Sequence, residues 1–286
     1  MVSENGLPVA MLRERAAEIR LHAVDAVAHA KSGHPGGSLS IADLMAYLYF
    51  HKMNVDPSVP RKPDRDRFVL SKGHCCPALY AALALRGFFP VEDLNRLRAL
   101  DGHLSGHPNM NETPGVDVST GSLGQGFSAA CGMALVGKRE NRPFRVYTVL
   151  GDGELEEGEV WEAAMFAAHY GLSNLTAYVD FNHLQIDGDV RDVMNPTPID
   201  EKFKAFGWFV QVIDGHDFIQ LDEATAAAEA SGRPSVIVMK TVKGKGVSFM
   251  ENQAGWHGKA PKGDDYETAM RELNASLEQA KEARHG

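Results

Sequence analysis

Five short apolar runs, each followed by a stretch with helical spacing, leave this chain little choice of architecture. The runs are Phe68-Val-Leu70, Arg145-Val-Tyr-Thr-Val-Leu150, Thr176-Ala-Tyr-Val-Asp-Phe181, Phe209-Val-Gln-Val-Ile213 and Ser235-Val-Ile-Val-Met239. Runs this short and this rich in β-branched residues read as strands buried on both faces. Between them, apolar residues recur every three or four positions. In the opening helix, over residues 10–30, they are Leu12, Ala16, Ile19, Ala23, Ala26 and Ala30. Further helices are expected over about 77–86, 123–139, 157–170 and 217–231, with a charged helix from about 264. Ser40 is expected to cap another, running to about His51, with Asp43 in the acidic place of a capping box. Strand–helix–strand alternation predicts an α/β fold: a doubly wound, mostly parallel sheet with helices on both faces. No repeat or linker interrupts it before residue 240. The expectation is one domain over 1–286, with a looser C-terminal extension from about 241–286.

Composition narrows the function. An apolar fraction of 44% is too high for a disordered chain. No run of eighteen apolar residues is present, so no membrane span is expected. The N-terminus is too polar for a signal peptide, which implies a cytoplasmic protein. Cys75, Cys76 and Cys131 cannot form a disulfide framework, and the adjacent Cys75 and Cys76, which lack a C-x-x-C spacing, are expected to be reduced. A net charge of −9 argues against nucleic acid as a partner. The densest basic run, Lys240-Thr-Val-Lys243-Gly-Lys245, reads as a solvated strand end.

In an open parallel sheet, ligands sit beyond the C-terminal strand ends. Two of those ends carry chemistry: Leu150-Gly-Asp152-Gly153 and Asp180-Phe-Asn182. One βαβ crossover separates them, so Asp152 and Asn182 are expected at neighbouring ends. The helix from about Glu157 is expected to turn its positive N-terminus toward the same place. A carboxylate and an amide oxygen suit Mg²⁺ that completes its shell with phosphate oxygens and water. Spacing alone leaves open that Gly-Asp-Gly is only a turn and that Asn182 only caps a strand. No P-loop, dinucleotide fingerprint, G-x-S-x-G elbow or zinc spacing competes. Of twelve histidines, four sit in Gly/Pro-rich or aromatic loops: His34, His74, His107 and His257. Neutral imidazoles there can meet phosphate or sugar hydroxyls.

Together these segments resemble the diphosphate-binding half of transketolase. The match is carried by Ser-Gly-His-Pro-Gly at 32–36, Ser-Lys-Gly-His at 71–74 and Ser-Gly-His-Pro at 105–108. It continues through Ser-Thr-Gly-Ser-Leu-Gly-Gln-Gly at 119–126, Gly-Asp-Gly-Glu-Leu-Glu-Glu-Gly at 151–158, Asp-Phe-Asn at 180–182, Ile-Asp-Gly at 186–188 and Trp-His-Gly-Lys-Ala-Pro at 256–261. The resemblance implies a thiamine-diphosphate-binding fold with thiamine diphosphate and Mg²⁺ (or Ca²⁺ or Mn²⁺ in its place) as cofactors. Asp152, Asn182 and the Leu184 carbonyl are the implied metal ligands. His74, Gly121, Leu123, Gly151, Gly153 and Glu154 join Asp152, Asn182 and His257 in holding the cofactor. His34, His107 and His257 are implied to line the substrate channel, bond sugar hydroxyls and assist proton transfers. Glu157 and Glu162 match family acids near the cofactor–subunit interface, where they couple two sites. Cys75 and Cys76 are implied to pack beside the cofactor.

One-piece family members are much longer, and the half that binds the aminopyrimidine is not here. The resemblance therefore implies the N-terminal subunit of a split transketolase. It would be completed by a C-terminal, pyrimidine-binding chain in an α2β2 heterotetramer, and would move a two-carbon ketol unit between sugars or sugar phosphates. Other readings are another thiamine-diphosphate enzyme acting on an unusual ketose, a cofactor-binding subunit without turnover, and a Mg²⁺-dependent phosphohydrolase.

Overall fold

The computed structural model describes residues 7–285, so both ends of the expected 1–286 domain lie outside the described residues. Seven strands occur among those residues: β1 (Arg67–Leu70), β2 (Val146–Gly151), β3 (Leu175–Phe181), β4 (Leu184–Gln185), β5 (Gly188–Asp189), β6 (Phe209–Asp214) and β7 (Ser235–Lys240). Five of them form one parallel sheet in the order β1-β2-β3-β7-β6, and β4 and β5 pair as a small antiparallel hairpin. All five expected strands are found, and the expected fold class is met.

Period-two alternation sends neighbouring side chains to opposite faces. Tyr147, Val149, Tyr178, Ile237 and Met239 pack with one set of helices. That set comprises α1 (Val9–Ala30), α3 (Ala42–Tyr47), α4 (Cys76–Arg86) and α9 (Phe218–Ala230). Val146, Leu150, Ala177, Val179, Val236 and Val238 pack on the other face. There they meet α5 (Gln125–Arg139), α6 (Gly158–His169) and α8 (Ile199–Ala205). Apolar side chains on both faces explain why the strands read as continuous runs. The short helices α7 (Val190–Val193) and α8 were not anticipated.

The helix expected from Ser40 is built differently. Two short helices, α2 (Pro35–Ser40) and α3, take its place, and a π-turn over Leu48–Lys52 follows. Pro35 starts α2, where its fixed φ suits a first helical position. Ser40 caps nothing: its hydroxyl donates to the Gly37 carbonyl at 3.0 Å and to the Asp180 carboxylate at 2.7 Å. Asp43 pairs with Arg20 and accepts from His216 at 2.7 Å. Both side chains are drawn into long-range pairs that a local motif cannot reveal.

At the C-terminus, α10 (Asp264–His285) lies along α1 and buries Ala269, Leu273 and Leu277. Tyr266 donates to Asp25 at 2.6 Å, and Arg284 pairs with Glu14 at 2.7 Å. All three cysteines are free and buried. Among the described residues, no helix is long and apolar enough to cross a membrane.

Candidate active site

β2 and β3 run side by side in register, with Gly151 opposite Asp180. Asp152 and Asn182 therefore leave the sheet at adjacent C-terminal ends. Asp152 is buried; one oxygen accepts from the Gly153 N–H at 2.9 Å and the other from the His183 N–H at 2.6 Å. Burial, with the Asp180 charge nearby, pushes its carboxyl up to about 7, against the pull of Lys243 and those two N–H groups. Asn182 gives its Nδ2 to Asp180 at 2.8 Å. Since a carboxylate only accepts, that bond orients the amide and leaves Oδ1 free apart from the Leu184 N–H at 3.1 Å. A 3₁₀ turn, Gly153–Glu156, stands between β2 and α6, so the turn and not the helix follows the strand directly. A Cβ at Gly153 would lie 3.1 Å from Gln185 Cβ, tight enough to disturb this wall.

His34, His74, His107 and His257 come together here, although more than 220 residues separate the first from the last in sequence. Ring centroids lie 5.2 Å apart for His34–His74, 6.3 Å for His34–His107, 5.4 Å for His34–His257 and 5.0 Å for His74–His257. They line one cavity of about 430 Å³ with Asp152, Asn182 and Leu184. Gly121, Leu123, Gly151, Gly153, Glu154 and Glu157 complete its predicted wall. Burial holds all four imidazoles uncharged at neutral pH. His34 falls to about 4, with Arg98 adding to burial, and His257 to about 3, with Lys243 adding to it. Burial likewise lowers His74 and His107. Lys243 Nζ lies 3.0 Å from His257 Nδ1. An ammonium only donates, so Nδ1 accepts and the His257 proton sits on Nε2.

Glu154 has a different place from its neighbours. It is buried, and it accepts from Ser71, from Gly124 N at 2.9 Å and from Gly151 N at 3.0 Å. It ties the loop before α5 to the end of β2. Glu162 does not reach the cavity. It is exposed on α6, in a shallow pocket with Ser128, Cys131 and Phe166.

Several working residues escaped the sequence reading. Lys243 is not part of a solvated strand end: it is 2% exposed, in the cavity wall, and donates to the Leu184 carbonyl at 3.0 Å. Its signal was present only as one lysine in a basic run, and charge alone reads as surface. Lys72 is equally buried and pairs with Asp180 at 2.5 Å. Asp180 also accepts from Ser40, Asn182 and Thr241. Burial pushes the Asp180 carboxyl up and the Lys72 ammonium down. Their pairing outweighs it, so both are held in the charged form. Behind Lys243, His216 Nε2 accepts from the Val242 N–H at 3.0 Å, which leaves Nδ1 as the donor to Asp43. That dyad fixes the loop after β7.

The wall fits a metal-bridged diphosphate. Asp152, Asn182 and the Leu184 carbonyl are hard oxygen donors of the type Mg²⁺ takes, and the carbonyl keeps a second lone pair beside Lys243. Among the described residues, no three His, Cys, Asp or Glu side chains form a metal site of their own. A cation here would need oxygens from the ligand as well. Among the described residues the buried Lys243 ammonium, whose pKa burial lowers, has no ion pair, and a diphosphate would supply the missing anion.

Oxygen donors and a buried ammonium at the ends of a parallel sheet, opening onto neutral imidazoles, define a diphosphate-binding α/β domain. The family model described as "Transketolase, thiamine diphosphate binding domain" matches residues 12–281. The chain belongs to the transketolase family, in its thiamine-diphosphate-binding part. The 6-deoxy-6-sulfo-D-fructose transketolase subunit SqwG of Clostridium sp. (strain MSTE9) is 46% identical over 92% of this chain and 96% of its own. An apulose-4-phosphate transketolase subunit of Phocaeicola vulgatus is 40% identical over 93% of this chain and 95% of its own. Human transketolase is 42% identical over 94% of this chain but only 43% of its own. The crystal structure of Campylobacter jejuni transketolase superposes with a TM-score of 0.87 at 32% identity, covering 94% of this chain and 45% of that one. The chain thus spans less than half of these longer transketolases.

Proposed function

We propose that this chain is the diphosphate-binding subunit of a two-chain transketolase, moving a two-carbon ketol unit from a ketose to an aldose. The observation that carries this reading is a single cavity holding both the oxygen-donor set and four uncharged histidines. Subunit-named relatives, matched over 95–96% of their length, support a separate partner chain. That partner would be the C-terminal, pyrimidine-binding chain, in an α2β2 heterotetramer. We place the enzyme in the cytoplasm.

Asp152, Asn182 and the Leu184 carbonyl would hold Mg²⁺ against the diphosphate. Lys243 would neutralise phosphate charge that the metal leaves over, and His74, Gly121, Leu123, Gly151 and Gly153 would wall the cofactor. Bound thiamine diphosphate supplies the chemistry that breaks and forms the carbon–carbon bond. The residues of this chain bind and orient. His257 presents Nε2–H, and His34 and His107 can each present an N–H to a hydroxyl or carbonyl oxygen of the sugar. Because the imidazoles rest uncharged, His34 and His107 can instead turn an unprotonated ring nitrogen to that oxygen, accept a proton there and return it. Glu157 at the cavity edge, and Glu162 outside it, would act where the partner chain meets this one. The donor would be a ketose phosphate or, as in one relative's name, a sulfonated ketose.

The test is ketol transfer with Mg²⁺ and thiamine diphosphate, assayed on this chain alone and mixed with its pyrimidine-binding partner. Turnover is expected only in the mixture. Turnover by the isolated chain would contradict the proposed division of labour.

A further inference from the structure

His107 lies in a stretch, residues 102–109, that forms neither helix nor strand. Its backbone is nevertheless held at every carbonyl from Leu104 to Pro108. Leu104 accepts from the Arg98 N–H at 2.8 Å, and Pro108 from the Thr120 N–H at 3.2 Å. The carbonyls between them receive side chains from one helix. The Tyr80 hydroxyl lies 2.9 Å from the Ser105 oxygen and 3.0 Å from the His107 oxygen. A hydroxyl carries one proton, so the two carbonyls share it. The Cys76 thiol donates to the Gly106 oxygen at 3.2 Å, where Arg98 Nη2 is a more distant donor at 3.5 Å.

Cys76 and Tyr80 stand four residues apart on α4 and so project from one face of it. Both are 1% exposed, and neither lines the cavity. Burial pushes the Tyr80 hydroxyl up and the Cys76 thiol up to about 12, so both keep the proton they donate. α4 begins two residues after His74. The clasp therefore ties the His107 loop to the segment that carries His74.

A hold on the backbone matters because the ring has little of its own. Among the described residues the His107 imidazole makes no hydrogen bond. It rests against Gly121, where a Cβ would stand 3.0 Å from His107 Cδ2. Both ring nitrogens are left for a ligand, and where they point follows from where the backbone is pinned.

We infer that Tyr80, with Cys76 beside it, is a positioning residue: through the carbonyls of residues 105–107 it aims the His107 imidazole at the sugar substrate. The inference rests on reading the cavity as a ketose site. It gives Cys76 a role in bracing a histidine loop from outside the cavity.

The test is a double-mutant cycle on the two-chain enzyme, with fructose 6-phosphate as donor and glycolaldehyde as acceptor. Tyr80→Phe keeps the buried ring and removes only the hydroxyl. It is expected to lower kcat/KM by about 10- to 100-fold, the cost of a misdirected group. The Kd for thiamine diphosphate with Mg²⁺ should stay within about two-fold of wild type. In a His107→Ala background the same change should cost less than about two-fold, because no ring is left to aim. Equal losses in both backgrounds would make Tyr80 a general brace and overturn the inference. Should Tyr80→Phe fail to fold, Cys76→Ala carries the same cycle, with a smaller loss that Cys76→Ser, still a donor to Gly106, recovers. A readout without turnover is the His107 ring Cε1–H signal of the chain carrying isotope-labelled histidine, assigned by its loss in His107→Ala. Tyr80→Phe is expected to move that signal and to leave those of His169 and His216 in place. An unmoved His107 signal would overturn the inference. Absence of turnover in the wild-type mixture would overturn the ketose reading alone, and the signal would still decide whether Tyr80 positions the ring.

Discussion

Asp152→Ala is expected to weaken Mg²⁺-dependent thiamine diphosphate binding by on the order of 100-fold or more, since even groups behind a metal ligand are worth 10–100-fold. Asp152 is the one carboxylate in the donor set, and Asn182 and the Leu184 carbonyl bring no charge of their own. The folded protein without ligand should tolerate the change well. The Asp152 carboxyl is pushed up to about 7 by burial and by Asp180, far above its ordinary 3.8. The folded chain then holds a proton that the unfolded chain has released, so this residue's contribution to stability falls as pH rises from about 4 through 7. At pH 8 the variant is therefore expected to melt no lower than wild type while failing to bind. Calorimetric titration and thermal melts at that pH read both quantities. Binding within a few-fold of wild type would remove Asp152 from the metal site.

Lys72→Met should do the opposite and strike the fold. Lys72 and Asp180 are 2% and 0% exposed, 2.5 Å apart. Removing the ammonium leaves a carboxylate buried without a cation, a change that costs about 3–5 kcal/mol. For a chain of this size that lowers Tm by roughly 10 °C. Ser40, Thr241 and Asn182 still donate to Asp180, but neutral donors do not replace the lost charge. The double variant Lys72→Met/Asp180→Asn should recover much of the loss, because no unpaired charge remains. It should still bind cofactor poorly, since Asn182 loses the carboxylate that orients its amide. A single variant as stable as wild type would show that the pair is not the brace described here.

The contrast between Asp152 and Asp180 marks what the sequence can show. Asp152 stood out because Gly-Asp-Gly ends an apolar run, and because Asn182 follows after one crossover. Both signals are local, and parallel topology turns them into a place. The histidines were legible for a similar reason: each sits in a short loop motif, and their convergence needed only the family resemblance to be expected. Asp180 was seen only as the first residue of Asp-Phe-Asn. Apart from the neighbouring Asn182, its donors come from residues 40, 72 and 241, brought together by three separate crossings of the fold. No window of sequence contains that contact. Lys243 failed in a related way, because a lysine in a basic run looks like surface until β7 and the His216–Asp43 dyad turn it inward. Ser40 and Asp43 matched a capping pattern, yet stronger long-range partners claimed both side chains.

The central claim is that this chain supplies the diphosphate end of the cofactor site and another chain supplies the pyrimidine end. It is tested most directly by dividing the ligand. Thermal melts of the isolated chain are recorded with millimolar Mg²⁺ and inorganic pyrophosphate, and separately with thiamine that carries no diphosphate. A ligand that binds only the folded state raises Tm as its concentration passes Kd. Pyrophosphate with Mg²⁺ is expected to raise Tm in wild type but not in Asp152→Ala, and thiamine is expected to leave both unchanged. Stabilisation by thiamine, with none from Mg²⁺-pyrophosphate, would contradict the account.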